Sequence, residues 1–263
     1  MKLLTAKKAL LGMVHVRALP GTPRDEKMFE KVVEQALAEA KAFEKAGFQG
    51  VILENMHDVP YLRTQVGPEI VAAMAVVAHE VKKNTHLSLG IQILAGANAA
   101  ALSVAQAVEA DFVRVEGFVF AHVADEGLIE ACAGPLLRLR RELGAESIKI
   151  FADIKKKHSS HALTADVSIA ETAHAAEFFG ADGVILTGSH TGATASLSEL
   201  EQVKSAVHIP VWIGSGITAE NVAEFKEADG WIVGSSLKAK QNWANPLESS
   251  ALTKMVEAAQ KAC

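Results

Sequence analysis

The chain has 263 residues and a formal net charge of −5, and 49% of its residues are hydrophobic while only 5% are aromatic. This length is close to the roughly 250 residues of a (β/α)8 barrel, and an aliphatic composition is typical of parallel strands buried on both faces. Because there is no basic tail or arginine stripe, the composition argues against a nucleic-acid-binding role.

The N-terminal segment, residues 1–11, carries lysines ahead of a short apolar run. Polar residues interrupt that run from Gly12 onward, so we interpret it as the start of a strand and not as a signal peptide. No stretch reaches the ~18 to 20 apolar residues that a membrane span needs. Two cysteines, Cys132 and Cys263, make a poor disulfide framework. We therefore expect free thiols and a cytoplasmic location.

Strands and helices alternate along the whole chain without a linker. The clearest helix has apolar residues at helical spacing from Phe29 to Phe43, and Gly47 is placed to end it. Pro68 falls in the first turn of the next helix, where proline is tolerated. The predicted strands are nearly all apolar and cover residues 10–16, 50–53, 87–94, 112–116, 148–154, 184–187, 210–213 and 231–233.

Further helices are predicted between and after these strands. They cover residues 97–109, 136–143, 168–179, 197–207 and, as a short helix, 219–227, and a last helix runs to the C-terminus. Repeated strand–helix units of this kind predict a parallel sheet with helical crossovers. The number of strands and the length favour one closed (β/α)8 barrel, a TIM barrel of the α/β class, over residues 1–263. A doubly wound open sheet is the alternative.

Two glycine-containing motifs directly follow the seventh and eighth predicted strands. In barrels, the loops after these two strands commonly form a phosphate site. Glycine lets the backbone approach an anion without a Cβ clash, and the exposed N–H groups then donate to the anion. The predicted phosphate-binding residues are Gly214-Ser215-Gly216 and Gly234-Ser235-Ser236. Two ordinary chain turns are the plainer alternative.

A third glycine-containing loop, residues 187–192, follows the sixth predicted strand. It is interpreted either as a flap or third wall of the same site or as an ordinary loop.

Polar residues alternate with apolar ones near the carboxyl ends of the predicted strands, and this period of two predicts that they face the barrel interior. Catalytic residues of this fold lie at these strand ends. The predicted catalytic residues are Asp153, Lys155, Glu116, Arg114 and His15. The predicted substrate-binding residues are Arg17, Asn55, Gln92, Thr187 and His158, with Glu54 as the alternative to Asn55 at the end of the second strand.

Two interpretations of the charged residues remain open. Buried charges are costly unless they are paired, so these side chains are expected to neutralise one another in an ion-pair cluster that is purely structural. In the functional interpretation, a carboxylate beside an ammonium group forms an acid/base pair. Lys155 is alternatively an imine-forming lysine, which requires a lowered pKa that the nearby Asp153 opposes.

Candidate metal ligands are frequent in the predicted loops but lack the spacing of zinc sites. They are His15, His57, Asp58, His122, Asp125, His158 and His161. We therefore expect no structural metal, while a Mg²⁺ ion carried in with the substrate needs only one or two carboxylates and stays open. The sequence contains no Rossmann fingerprint or Walker loop, so we expect neither NAD nor ATP.

Several ordered stretches carry a family resemblance along nearly the whole chain. They are GMVHVRALPG at 12–21, EGLIE at 126–130, ADIKKKH at 152–158, GSGITAEN at 214–221, ADGWIVGSSLK at 228–238 and NP at 245–246. Together they resemble the BtpA family, which includes the SgcQ proteins. The resemblance implies a (β/α)8 fold related to ribulose-phosphate-binding barrels. Residues 54–58, ENMHD, depart from the runs of other members, which leaves the role of Glu54 open.

The resemblance implies two different roles, because one branch is associated with photosystem I biogenesis in cyanobacteria and the other with a sugar-phosphate system. The first hypothesis is therefore a lyase, isomerase or hydrolase that acts on a phosphorylated sugar or nucleotide-like metabolite. The second is a non-catalytic assembly or stabilising factor, and the fold does not decide between them. A mean hydropathy of +0.18 indicates apolar surface between subunits, so we expect a homo-oligomer.

Overall fold

The structure, a computed structural model, describes residues 8–188 and 194–263. Most of the third glycine loop therefore lies outside the described residues. Eight parallel strands close into a barrel in which the first and last strands pair, as the sequence predicts. The barrel strands are β1 (Ala9–His15), β2 (Gly50–Glu54), β3 (Ser88–Gln92), β4 (Phe112–Val115), β7 (Lys149–Ile154), β9 (Gly183–Leu186), β10 (Val211–Ile213) and β11 (Gly230–Val233).

Three short strands form a separate antiparallel sheet. These are β5 (His122–Ala124), β6 (Gly127–Ile129) and β8 (Ser159–Ser160). The first two form a hairpin in the segment after β4, and the third joins it from the segment after β7. No strand is predicted from the sequence in these two segments, because strands of two or three residues are too short to show a period.

Helices connect the barrel strands and cover the outside of the barrel. They are α1 (Phe29–Ala46), α2 (Pro68–Asn84), α3 (Asn98–Ala107), α4 (Ala133–Glu142), α5 (Ile169–Phe178), α6 (Leu197–Ala206) and α7 (Ser249–Ala262). As predicted, α1 ends at Gly47, whose left-handed backbone (φ 103°) lets its N–H donate to the carbonyls of Phe43 and Glu44. Between β10 and β11 the short predicted helix is only a 3₁₀ turn, Val222–Phe225. None of the helices in the described residues combines the length and apolarity needed to cross a membrane.

An aromatic plug fills the lower half of the barrel interior, and it consists of Phe112, Phe151 and Trp212. The Phe151 and Trp212 rings stack with centroids 3.6 Å apart, and the Phe112 ring meets both edge-on. Glycines on neighbouring strands make room for these rings, since a Cβ on Gly183 would lie 2.3 Å from the Phe151 ring and one on Gly90 2.3 Å from the Phe112 ring. The barrel is therefore closed at its lower end and has space only above the plug.

Candidate functional site

A cavity of about 340 Å³ opens at the carboxyl ends of the barrel strands. This size lies within the roughly 300–1,000 Å³ of ligand pockets. Met13 and Ile232 line its lower part, and both belong to the same interior apolar cluster as the aromatic plug. The cavity is thus the part of the barrel interior that the apolar core leaves open, at the end where barrel enzymes place their active sites.

Both glycine motifs border this cavity with all six of their residues. Their strands, β10 and β11, pair directly, and the Ser236 hydroxyl donates to the Ile217 carbonyl at 2.7 Å, which ties the two loops together. A Cβ on Gly214 would lie 3.3 Å from an Arg114 nitrogen, and one on Gly234 3.4 Å from the His15 ring. The missing side chains therefore keep space open at the cavity wall.

The amide groups of the two loops differ from those of the adjacent strands in their hydrogen bonding. The Gly214 N–H is used inside the fold, since it donates to the Leu186 carbonyl at 2.7 Å. The amides of Gly216, Ser235 and Ser236 make no hydrogen bond to any residue in the described ranges 8–188 and 194–263. Since unpaired amides next to a cavity need another acceptor, these groups are available to an anion.

Two ion pairs occupy one side of the cavity. The Arg114 guanidinium donates to both carboxylate oxygens of Asp153 at 3.1 to 3.2 Å, and these side chains are only 5% and 1% exposed. The Lys156 ammonium lies 3.3 Å from a carboxylate oxygen of Glu116. The predicted cluster of opposite charges thus exists around Arg114, Asp153 and Glu116, but its lysine is Lys156 and not Lys155.

The prediction that Lys155 faces the cavity is wrong. Its backbone takes a left-handed conformation, with φ at 45°, directly after β7, and this ends the alternation that the prediction extends by one more residue. The Lys155 ammonium instead donates to the Thr164 carbonyl at 2.9 Å. The two following lysines, Lys156 and Lys157, line the cavity.

The placement of Asn55 at the site is also wrong. Its side chain is buried in the fold, where it donates to Asp58 and accepts from the Leu94 amide, both at 2.7 Å. Glu54, the alternative, lines the cavity. The reason is the period of the strand, because Ile52 belongs to the interior cluster and Glu54 two residues later shares its face.

Arg17 does not line the main cavity either. β1 ends at His15, so the inward and outward alternation of strand side chains does not extend to Arg17. The Arg17 side chain is exposed and borders a separate surface cavity together with His57. By contrast, His15, Gln92, Thr187 and His158 all line the main cavity.

Two buried acceptors in this cavity lack a partner. Among the described residues, one oxygen each of Glu116 and Gln92 is inaccessible to solvent and makes no hydrogen bond. An unpaired buried acceptor costs about 1–3 kcal/mol. Both residues line the cavity, so these two oxygens lie beside it although they are closed to solvent.

Burial also shifts the protonation of the site. It raises the pKa of the Glu54 and Glu116 carboxyls, and it lowers the pKa of His15 to about 3. The pKa of the Lys157 ammonium is lowered, first by burial and next by the charge of Arg114. Acids with raised pKa values beside an amine with a lowered one are the groups that exchange protons most readily near neutral pH.

Sequence reasoning missed Lys156, Lys157, Tyr61 and Trp243 among the residues that line the cavity. The run of three lysines directly after β7 was a usable signal for the first two. Trp243 lies in the segment after β11, where its carbonyl accepts a hydrogen bond from Nδ1 of His15 at 3.0 Å. No sequence motif predicts this position for Trp243.

The described part of the chain contains no group of three or more His, Cys, Asp or Glu side chains arranged to hold a metal ion. A Mg²⁺ ion that arrives with a substrate phosphate stays a prediction.

Comparison with known proteins assigns a family to this chain. The sequence model of the BtpA family matches residues 6–261. An uncharacterized mitochondrial protein of Caenorhabditis elegans is 50% identical over 262 residues, which cover 97% of this chain and 95% of that protein. The Photosystem I biogenesis protein BtpA of Synechocystis is 35% identical over 251 residues, which cover 95% of this chain and 87% of that protein.

Among solved structures, 3-hexulose-6-phosphate synthase from Salmonella typhimurium has a similar fold. The TM-score is 0.57, and the alignment covers 97% of this chain and 100% of that one. The sequences are only 13% identical, so the likeness concerns the fold alone. The predicted family resemblance and the predicted barrel are both confirmed.

Proposed function

The chain belongs to the BtpA family, and we propose that it binds a phosphorylated small metabolite, either a sugar phosphate or a nucleotide-like compound, at the carboxyl end of its barrel. In this proposal the phosphate group lies between the loops after β10 and β11. The observation that carries it is the set of amides of Gly216, Ser235 and Ser236, which have no partner among the described residues and border the cavity. The phosphate in the name of the related barrel structure supports the same ligand class.

The remainder of the metabolite would lie over the floor of the cavity, among the polar side chains. Gln92 and Glu116 line this part of the cavity, and Arg114, fixed by its pair with Asp153, lines it as well. Glu54 and Glu116, whose pKa values are raised by burial, are suited to move protons to and from a bound molecule. We therefore propose an enzyme of the lyase, isomerase or hydrolase class that works by acid/base chemistry.

Thermal unfolding with a panel of anions tests the phosphate assignment. The panel contains inorganic phosphate, D-ribose 5-phosphate and, as the uncharged control, D-ribose. A ligand at ~100 times its dissociation constant stabilises the fold by about 2.7 kcal/mol. We expect this stabilisation for the phosphorylated compounds and not for D-ribose.

The variant Gly216→Asp supplies the decisive comparison, with Gly144→Asp as its matched control. Both glycines have left-handed backbones, with φ at 71° and 63°, so both substitutions add the same charge and the same kind of strain. Gly144 follows α4 and has nothing within 4 Å of an added Cβ. We expect Gly216→Asp to abolish the ligand-induced shift and Gly144→Asp to keep it. A shift that survives in Gly216→Asp would refute the phosphate site.

A second candidate function is a non-catalytic assembly factor, which the name of the Synechocystis relative favours. The apolar side chains of Val123 and Leu128 on the β5–β6 hairpin are exposed, as is that of Leu62. Arg63, the residue after Leu62, donates to the Leu128 carbonyl. Such a patch suits a protein partner. If no anion stabilises the protein, this second function is favoured. The cytoplasmic location and the homo-oligomer stay predictions.

A further inference from the structure

Among the described residues, Lys157 differs from the cations Arg114 and Lys156 of the cavity in having no ion-pair partner. The Arg114 guanidinium is bound to Asp153, and the Lys156 ammonium to Glu116. In the described ranges, 8–188 and 194–263, the Lys157 ammonium makes no hydrogen bond or ion pair, although its side chain is partly buried and lines the cavity. Since a partly buried charge without a partner is costly, this amine calls for a role that involves the cavity's ligand.

The backbone of Lys157 is fixed next to the first glycine loop. Its amide donates to the Thr187 hydroxyl at 3.1 Å. The Thr187 methyl group in turn lies 3.2 Å from the position of a Cβ on Gly214. Thr187 therefore lies between the lysine backbone and the loop, and both border one cavity.

Burial, with Arg114 as the second cause, favours the neutral form of this amine. Burial lowers the pKa of Lys157, and Arg114 lowers it further, while Glu54, Asp153 and Glu116 act in the opposite direction. Arg114 and Asp153 are joined by two-pronged hydrogen bonds, so their opposite charges largely compensate each other and burial is the main cause of the lowered pKa. From the sequence, Asp153 is expected to oppose a lowered lysine pKa. In the structure this opposition is weaker for Lys157, because Asp153 is paired with Arg114.

We propose that Lys157 is a nucleophile that forms an imine with the aldehyde or ketone carbon of a metabolite whose phosphate is held by the loops after β10 and β11. This inference rests on the proposed function and narrows it. The substrate is an open-chain phosphorylated aldose or ketose, or a similar carbonyl compound. The reaction is a lyase or isomerase step, because a protonated imine withdraws electrons from the adjacent carbon–hydrogen or carbon–carbon bond.

The step balances with the groups in the cavity. Glu116, which lines the same cavity and whose charge acts on Lys157, takes one proton from the ammonium in this step. The neutral nitrogen attacks the carbonyl carbon, a carbon–nitrogen bond forms, and a proton passes from nitrogen to the former carbonyl oxygen. The carboxylic acid then returns its proton to this hydroxyl group, water leaves, and the nitrogen lone pair closes the double bond. The net change is ammonium plus carbonyl to protonated imine plus water.

Reductive trapping tests the proposal on the full chain. The protein is incubated with D-ribose 5-phosphate or dihydroxyacetone phosphate in the presence of sodium cyanoborohydride, and peptides are mapped by mass spectrometry. We expect one major adduct, on Lys157. Lys157→Met should reduce trapping at least tenfold. Lys155→Met is the matched control, because Lys155 lies two residues away but outside the cavity, and it should trap like the unchanged protein.

Two further arms separate failure of the imine from failure of the phosphate site. Lys157→Arg keeps the charge but not the nucleophile, so it should still be stabilised by D-ribose 5-phosphate without being trapped. In one outcome, the unchanged protein is stabilised by D-ribose 5-phosphate and yet gives no adduct, and in another it is stabilised but gives adducts spread over surface lysines. Either result refutes the imine and leaves the phosphate site standing. If D-ribose is trapped on Lys157 as efficiently as its 5-phosphate, the imine stands and the phosphate site is refuted.

Discussion

The lower and upper halves of the barrel interior are built from the same strand faces but from opposite kinds of residue. On β10, Trp212 of the plug is followed two residues later by Gly214 of the phosphate loop, and on β7, Phe151 is followed by Asp153. The other such pairs are Met13 and His15, Ile52 and Glu54, Phe112 and Arg114, Ile185 and Thr187, and Ile232 and Gly234. On each of these strands, the filled core and the open site are therefore only two residues apart.

This difference teaches where stability and function lie in the fold. The lower half buries large apolar rings in contact with each other, which stabilises the folded state. The upper half buries charges, and even a well-made buried pair such as Arg114–Asp153 contributes little net stability because of its desolvation cost. We therefore expect substitutions in the lower half of the barrel interior to affect folding and substitutions in the upper half to affect ligand binding.

The largest expected effect is on the plug. Trp212→Ala removes the ring that stacks on Phe151 and leaves a cavity at the centre of the barrel. We expect the free energy of unfolding to fall by about 3–5 kcal/mol in urea titrations. Where the variant is still folded, its affinity for D-ribose 5-phosphate should be unchanged within twofold. A large loss of affinity with little loss of stability would contradict the division into a stabilising lower half and a ligand-binding upper half.

The second effect concerns His15 in the upper half, whose folded pKa of about 3 lies below its ordinary value of 6.5. The unfolded chain binds more protons between these values, so stability falls as pH drops from about 6.5 towards 3. At ~1.4 kcal/mol per pKa unit, His15 accounts for a loss on the order of 3 kcal/mol between pH 7 and pH 4. The groups that face it are Glu54, Lys157, Lys238 and His57.

Urea unfolding of the unchanged protein and of His15→Asn at pH 7 and pH 4 measures this contribution. We expect His15→Asn to lose less stability on acidification than the unchanged protein. Equal losses in both would show that His15 does not stay neutral in the folded state.

The smallest effect is on the bond between the loops. Ser236→Ala removes the hydroxyl that donates to the Ile217 carbonyl, so stability should fall by about 1 kcal/mol. The affinity for D-ribose 5-phosphate should fall roughly fivefold, because a loss of about 1 kcal/mol in the order of the loops corresponds to this factor when ~1.4 kcal/mol is tenfold. Ser103→Ala is the control, since its hydroxyl also donates to a carbonyl, that of Ala99 on α3, but outside the cavity. An equal affinity in both variants would show that the hydrogen bond between the two loops does not affect ligand binding.

The sequence predicted the site where the strands keep their period and failed where they end. Alternation places Arg114, Asp153 and Thr187 correctly because each continues the face of a buried plug or interior residue. At the end of β2 the same rule, counted from Ile52, would have selected Glu54 over Asn55. The two glycine motifs were located correctly because each directly follows a predicted strand, and the carboxyl ends of all the strands meet at one end of a barrel.

The remaining errors have conformational causes that a pattern does not contain. A left-handed backbone is uncommon for a long side chain such as that of Lys155, so the alternation along β7 does not indicate which of the three lysines lines the cavity. Trp243 lies 10 residues after the end of β11 and reaches His15 through its backbone carbonyl, which any residue type would supply.

A crystal structure of the protein with D-ribose 5-phosphate bound tests the central claim most directly. The account predicts that the phosphate oxygens lie within hydrogen-bond distance, about 2.7–3.2 Å, of the amides of Gly216, Ser235 and Ser236, with the sugar above the plug. A phosphate bound elsewhere, with these amides capped by side chains of the protein, would contradict it.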